Sequence, residues 1–229
     1  MGGSKGGRIY AASFSNKNIS RGESVQWGNR EKLIRDTLFL LPVVNGQDLN
    51  LIATQTNYED GLNIGNSLVQ YSKNSIKNIE ISNASSGGAM AMADIDMDGD
   101  LDLFIGGGIT HNNNYLKSTS VLYLNVKGEF KPDVDNAALR DTGAISGAIF
   151  ADIDNDQDPD LVLSRRWNSP MILINQNGVF KDESIKWGLS SFHGIWNAVS
   201  SGDFNNDGLI DLVISNIGNN SIYNQFIKD

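Results

Sequence analysis

Three short stretches of this 229-residue chain carry oxygen-bearing side chains at alternate positions, a pattern that suits a hard cation such as Ca²⁺. They read DIDMDGDLD at residues 94–102, DIDNDQDPD at 152–160 and DFNNDGLID at 203–211, and we call them acidic loops 1, 2 and 3. Positions 1, 3, 5 and 9 offer side-chain oxygens, and position 7 is predicted to offer its backbone carbonyl. The predicted ligands are Asp94, Asp96, Asp98, Asp100 and Asp102 in loop 1, Asp152, Asp154, Asp156, Asp158 and Asp160 in loop 2, and Asp203, Asn205, Asp207, Leu209 and Asp211 in loop 3.

Repetition distinguishes these loops from ordinary turns, in which Asp, Asn and Gly are also common. The loops hold five, five and three carboxylates, which together are 13 of the 27 acidic residues. Because like charges at this spacing repel, we expect a bound cation in each loop, hence about three sites, and Ca²⁺ rather than Mg²⁺. At position 6, where the chain must turn sharply, Gly99 and Gly208 fit well, whereas Gln157 weakens the geometric case for loop 2.

The segments that follow the loops are short, apolar and rich in β-forming residues, as in Leu103-Phe104-Ile105. An EF-hand or dockerin site needs a helix at this point, so we reject that interpretation. A second motif recurs at an offset of 50 residues, LYLNVKGEFK at 122–131 and ILINQNGVFK at 172–181, and predicts a hairpin with a tight turn closing on Gly128 or Gly178. A strand of small residues precedes each acidic loop.

These elements add up to four strands in about 50 residues, which is typical of one blade of a β-propeller. The predicted fold is therefore all-β, with about four blades of four antiparallel strands that form part of a larger propeller. Residues 1–35 are assigned to a tag or cut end with part of an earlier blade. The predicted blades are a degenerate, ligand-free one at 36–84, two at 85–142 and 143–192, and an incomplete one at 193–229.

The composition excludes several functions. The net charge is −9 and no basic stripe is present, which argues against nucleic-acid binding. There is no cysteine, so disulfides and thiolate metal sites are excluded. No apolar stretch approaches the ~20 residues of a transmembrane helix. The first ten residues lack the apolar segment of a signal peptide.

Other residues that could act chemically have simpler explanations. His111 and His193 have no partner at a meaningful spacing and are expected to be ordinary surface or turn residues. Trp187 and Trp196 are expected in the core. Trp167, which follows two arginines in a predicted edge loop, is the best candidate for contact with a glycan or protein partner. No nucleophile motif or phosphate loop is present, so no catalytic residue is predicted.

The acidic loop, repeated once per blade, resembles the FG-GAP/VCBS repeat, which is the calcium-loop blade of integrin-alpha-type propellers. The segments around Phe180–Ser184, Trp187–Leu189 and Gly194–Asn197 are also similar to large exported bacterial VCBS-repeat proteins of the ASPIC/UnbV-associated type. The resemblance covers roughly residues 36–229. It implies a secreted, periplasmic or cell-surface protein that is stabilised by calcium.

The function that we expect is a non-catalytic calcium-binding interaction or adhesion scaffold, which binds a protein or glycan through its blade loops. Inserted loops such as residues 109–114 are the expected contact regions. The alternative is a carbohydrate-active enzyme, or a lectin-like propeller, built on the same blades. A convergent pocket with a non-repeated acid and base would favour the enzyme. The sequence identifies neither the ligand nor the oligomeric state.

Overall fold

In a computed structural model of the protein, the described residues are 8–15, 18–26, 36–45, 48–56, 67–72, 75–80, 85–110 and 118–218. These residues form antiparallel sheets with one short 3-10 turn at Ala137–Leu139, which confirms the all-β prediction. The predictions for His111 and the rest of the inserted loop up to residue 114 lie outside the described residues. The chain forms two compact units, Met1–Glu80 and Ile81–Asp229.

The first unit contains a strand pair and a four-stranded sheet. Strands β1 (Arg8–Ser15) and β2 (Asn18–Gln26) form the pair. Sheet I consists of β3 (Asp36–Asn45), β4 (Asp48–Thr56), β5 (Ser67–Ser72) and β6 (Ser75–Glu80), in that order. Only two residues separate β3 from β4, so sheet I is a four-stranded antiparallel sheet without an acidic loop.

The second unit contains two sheets in which each strand pairs with the next along the chain. Sheet II has β7 (Ser85–Ala93), β8 (Asp102–Thr110), β9 (Val121–Val126) and β10 (Glu129–Asp133). Sheet III has β11 (Ala144–Ala151), β12 (Asp160–Asn168), β13 (Met171–Gln176) and β14 (Val179–Asp182). A strand pair follows, β15 (Gly194–Gly202) and β16 (Asp211–Asn216), and β15 also pairs with the end of β12.

The predicted hairpins are confirmed. Val126 pairs with Glu129 and Gln176 with Val179, so each connection has two residues. Both residues of each turn have positive φ, 56° and 86° in the first and 56° and 85° in the second. This is the type I′ geometry, which matches the twist of the two strands that it joins.

The core of the second unit lies around β8 and β12. Three consecutive residues of each strand are fully buried, at 103–105 and 161–163. Because successive side chains point to opposite faces of a strand, both faces of these strands are covered. The strands of small residues lie close together. A Cβ on Gly88 of β7 would come within 2.8 Å of the Ile145 carbonyl of β11, and one on Gly147 of β11 within 3.1 Å of Ala198 of β15.

Candidate metal centre

The three acidic loops occupy equivalent places in the second unit. Each connects a strand of small residues to the strand that follows, and position 9 is the first residue of that second strand. The strand pairs close on Ala93 with Asp102, Ala151 with Asp160, and Gly202 with Asp211. The loops therefore lie at the same end of three successive strand pairs.

The position 1 carboxylate organises each loop from within. Its two oxygens accept hydrogen bonds from the backbone N–H groups of positions 5 and 6, at 2.9–3.1 Å in all three loops. The position 5 carboxylate accepts one more bond from the N–H of position 7, at 2.8–3.1 Å. These local bonds hold the side-chain oxygens on the inside of the turn.

Two residues of each loop adopt the left-handed conformation. The sharp turn was expected at position 6, where φ is 95° at Gly99, 77° at Gln157 and 84° at Gly208. Gln157 therefore adopts the same backbone shape as the glycines, so its side chain does not prevent the loop geometry that we doubted. Position 4 was not anticipated, although Met97, Asn155 and Asn206 have φ of 59°, 63° and 61°. Asparagine, which tolerates this conformation, was the available signal in two of the three loops.

The position 9 carboxylates are buried in loops 1 and 2, and each of their two oxygens accepts a backbone hydrogen bond. Asp102 and Asp160 are 0% exposed. Each accepts the N–H of position 2 of its own loop, at 3.0 and 2.7 Å, and the N–H of the hairpin asparagine on the neighbouring strand, at 2.8 Å in both cases. Burial raises the pKa of both carboxyls, and these hydrogen bonds oppose that shift. In loop 3, Asp211 is only partly buried and accepts the N–H of Phe204 at 2.9 Å.

Position 7 differs most between the loops. Asp100 is partly exposed, and its side chain accepts the N–H of Lys127 in the hairpin turn at 3.3 Å. Asp158 is 6% exposed, and burial raises the pKa of its carboxyl to about 6, with a further contribution from the Asp156 carboxyl beside it. Leu209 has no side-chain oxygen and is 52% exposed.

The position 2 side chain is buried in loops 1 and 2 and anchors each of them to the core, which the sequence did not reveal. Ile95 is 0% exposed and Ile153 is 9% exposed, and Ile153 packs with Val162, Ile172 and Ile174 in the core of sheet III. Phe204 in loop 3 is 60% exposed. The available signal was an apolar residue at the same position of every loop.

Several of the predicted ligands converge. Oxygens of Asp94, Asp96 and Asp102 lie within 4.8 Å of one another, as do oxygens of Asp152, Asp154 and Asp156. Burial and the neighbouring Asp156 raise the pKa of the Asp154 carboxyl, as expected where negative charges crowd. The other predicted ligands are outside these two groups of three, and the full predicted set remains a prediction. An all-oxygen set of this kind fits Ca²⁺.

The pair of repeats that contains loops 2 and 3 matches a known family. Residues 152–214, from the start of loop 2 to β16, fit the sequence profile described as the FG-GAP-like repeat. This segment is similar to an FG-GAP-like repeat. This confirms the resemblance to FG-GAP/VCBS-type repeats that the sequence predicted. A search of curated protein sequences gives no significant match for the chain.

The FG-GAP-like repeat also bonds directly to loop 1 of the preceding sheet. The buried Asn175 side chain donates to the Ile95 carbonyl at 3.0 Å and accepts the N–H of Gly178 at 2.7 Å. Asn136, in the connection between the two sheets, donates to the Gly178 carbonyl at 3.0 Å and accepts the Phe180 N–H at 2.7 Å. Loop 1 is therefore tied to the hairpin of sheet III. Sequence alone marked Asn175 only as part of the hairpin.

The aromatic residues of the FG-GAP-like repeat correct one prediction. Trp187 was expected in the core but is 39% exposed, because it lies in the turns after β14, where Lys186 approaches its ring at 5.9 Å. Trp196 is partly buried and donates its indole N–H to the Phe192 carbonyl at 3.0 Å. Trp167, which was predicted in an edge loop, instead lies within β12, where it is 36% exposed with φ of 66°, and His193 is exposed. Among the described residues, no helix has the length and hydrophobicity of a membrane span.

Proposed function

We propose that the chain is a calcium-binding, β-propeller-type repeat module that acts as a non-catalytic interaction or adhesion scaffold outside the cell or at its surface. The observation that carries the proposal is one loop geometry, held by the same internal hydrogen bonds, at the same end of three strand pairs. A catalytic carboxylate pair is needed once per protein, whereas a structural cation is useful in every repeat.

The residues that would hold Ca²⁺ are the side chains of positions 1, 3, 5 and 9 with the carbonyl of position 7. A bound cation would neutralise the carboxylates, whose mutual repulsion otherwise opposes the loop. The chain already supplies the positioning, because position 1 fixes the turn and position 9 is fixed by two N–H groups in loops 1 and 2. Little further ordering is then needed when the ion binds.

The blade assignment rests on two observations. Sheets I and II are four-stranded and antiparallel, and strands β11–β14 of sheet III follow the same order. The β15–β16 pair, which joins β12 in one six-stranded sheet, starts this order again. Within the second unit, the glycines of β7 and β11 allow the small-residue strands to approach closely, as the inner strands of a propeller do. We assign blades to residues 36–84, 85–142, 143–192 and 193–229, in a larger ring.

Partner recognition is assigned to the loops that differ between repeats. Trp167, near the end of β12 and beside the connection to β13, is the strongest candidate among the described residues, because a bulky aromatic residue with φ of 66° holds a costly backbone conformation at a partly exposed position. A protein or a glycan could use this ring. Binding on a glycan array that Trp167→Ala abolishes would favour the lectin-like alternative.

Thermal unfolding with and without cation tests the proposal. Each site should add about 3 kcal/mol when Ca²⁺ exceeds its dissociation constant 100-fold. For a chain of this size, we expect millimolar Ca²⁺ to raise the Tm by about 10 °C or more over EDTA, and Mg²⁺ to raise it much less. Asp96→Ala should remove the contribution of one site. An identical melt in EDTA and Ca²⁺ would contradict the proposal.

A further inference from the structure

The Asp158 side chain is unusual among the carboxylates of the acidic loops. It is 6% exposed, and its Oδ1 is one of two buried side-chain oxygen or nitrogen atoms in the described part of the chain that have no hydrogen-bond partner. A buried ionisable oxygen without a partner is costly, because it loses its hydration and gains nothing in exchange. Such an atom indicates a missing ligand.

The surroundings of Asp158 show which ligand would fit. The carboxyl lies against the Asp156 carboxyl, near Asp160, and it accepts a hydrogen bond from the backbone N–H of Asn177 in the hairpin turn. Asp156 in turn belongs to the group of three oxygens with Asp152 and Asp154. Two adjacent carboxylate oxygens cannot bond to each other unless a proton or a cation lies between them.

The other two loops lack this arrangement. Asp100 in loop 1 is partly exposed, its Oδ2 accepts a hydrogen bond from the Lys127 N–H in the hairpin turn, and it has no buried oxygen without a partner. In loop 3 the position is Leu209, which offers no side-chain oxygen. The feature therefore belongs to loop 2 alone among the described loops.

We propose that the Asp158 side chain, and not its carbonyl, is a cation ligand of loop 2, which makes this loop the tightest of the three calcium sites. This inference rests on the proposed function. Carboxylate number sets the affinity of oxygen-ligand Ca²⁺ sites, and a buried carboxylate in place of a backbone carbonyl adds a negative charge next to the cation. We expect the order of affinity to be loop 2, loop 1, loop 3.

The competing explanation is a proton shared between Asp156 and Asp158, in which case Asp158 acts as a hydrogen-bond donor. The two explanations differ for Asp158→Asn, which has the same shape and a neutral amide that can donate to Asp156. If Asp158 is a ligand, the change removes one charge from the cation. If Asp158 shares a proton, the change preserves the bond and leaves the other ligands available.

Calcium titration calorimetry on the whole chain, with CaCl₂ added to EDTA-treated protein, separates these outcomes. For Asp158→Asn we expect one of the binding steps to weaken by about tenfold or more, and for the matched Asp100→Asn less than threefold. Asp158→Ser serves as a second neutral variant, and far-UV circular dichroism in EDTA shows that each variant folds. Unchanged or tighter binding by Asp158→Asn would overturn the ligand assignment alone. A wild-type chain that binds no Ca²⁺ would overturn the proposed function together with it.

Discussion

Acidic loops 2 and 3 have closely related sequences but different surroundings. In both, the position 1 carboxylate accepts the N–H groups of positions 5 and 6 at nearly equal distances, and positions 4 and 6 have positive φ. Around position 9 they diverge, since Asp160 is 0% exposed whereas Asp211 is partly exposed. Nine residues thus determine the shape of the loop, and the neighbouring hairpin determines its burial.

The neighbouring hairpin matters because it supplies hydrogen bonds that the loop cannot make alone. Asn175 donates its backbone N–H to Asp160 and its side-chain amide to Ile95 of loop 1, which lies 80 positions earlier in the chain. The hairpin of sheet III therefore bonds to two acidic loops. A cation that stiffens one loop would also stabilise the contact between adjacent sheets.

The largest expected effect comes from removing the buried position 9 carboxylate. Asp160→Ala leaves the buried N–H groups of Ile153 and Asn175 without acceptors, and each costs ~1–3 kcal/mol. We expect the free energy of unfolding to fall by about 3 kcal/mol, measured by urea denaturation in EDTA so that cation binding does not contribute.

The matched change in loop 3 is Asp211→Ala, which removes one bond at a partly exposed site and should cost about 1 kcal/mol. Equal losses for the two variants would show that burial by the neighbouring hairpin does not separate the loops.

A smaller effect is expected at the hairpin asparagine. Asn175→Ala removes the side-chain bonds to the Gly178 N–H and the Pro159 carbonyl, which are local to sheet III, and the bond to the Ile95 carbonyl, which joins the two sheets. We expect a loss of about 2 kcal/mol in the same denaturation assay. Asn125 is the equivalent residue of sheet II, where its side chain bonds only within its own sheet, to Leu101 and Gly128, at exposed positions.

Asn125→Ala is therefore the control, with an expected loss below about 1 kcal/mol. A loss for Asn125→Ala as large as that for Asn175→Ala would mean that the turn, and not the contact with loop 1, accounts for the effect.

Local sequence patterns were sufficient to predict the parts of the fold that are determined by residues close together in the chain. Strands that flank a turn closing on Gly128 or Gly178 were predictable because a two-residue hairpin needs positive φ. The position of each acidic loop between two strands followed from the apolar run after it. The glycine requirement at position 6 was too strict, since Gln157 takes the same conformation.

Contacts between distant segments could not be read from the sequence. The bond from Asn175 to Ile95 joins residues of two different repeats, and no spacing rule predicts it. The Asp158 side chain accepts a hydrogen bond from the backbone N–H of Asn177 in the hairpin turn of sheet III, and the spacing of the two residues does not predict this bond. Trp187 was wrongly assigned to the core, because that assignment came from packing positions in the resembled family, and the course of the turns after β14 leaves its ring 39% exposed.

The smallest expected effect comes from position 6, and it tests whether Gln157 and Gly208 make loops 2 and 3 contribute differently to stability. Gln157 holds φ of 77°, which costs a residue with a Cβ roughly 1 kcal/mol relative to glycine. Gln157→Gly should therefore raise the free energy of unfolding in EDTA by about 0.5–1 kcal/mol, and Gly208→Gln should lower it by a similar amount. If Gln157→Gly is instead destabilising, the glutamine side chain makes a contribution that outweighs the strain, and loop 2 differs from loop 3 at position 6 as well as at positions 7 and 9.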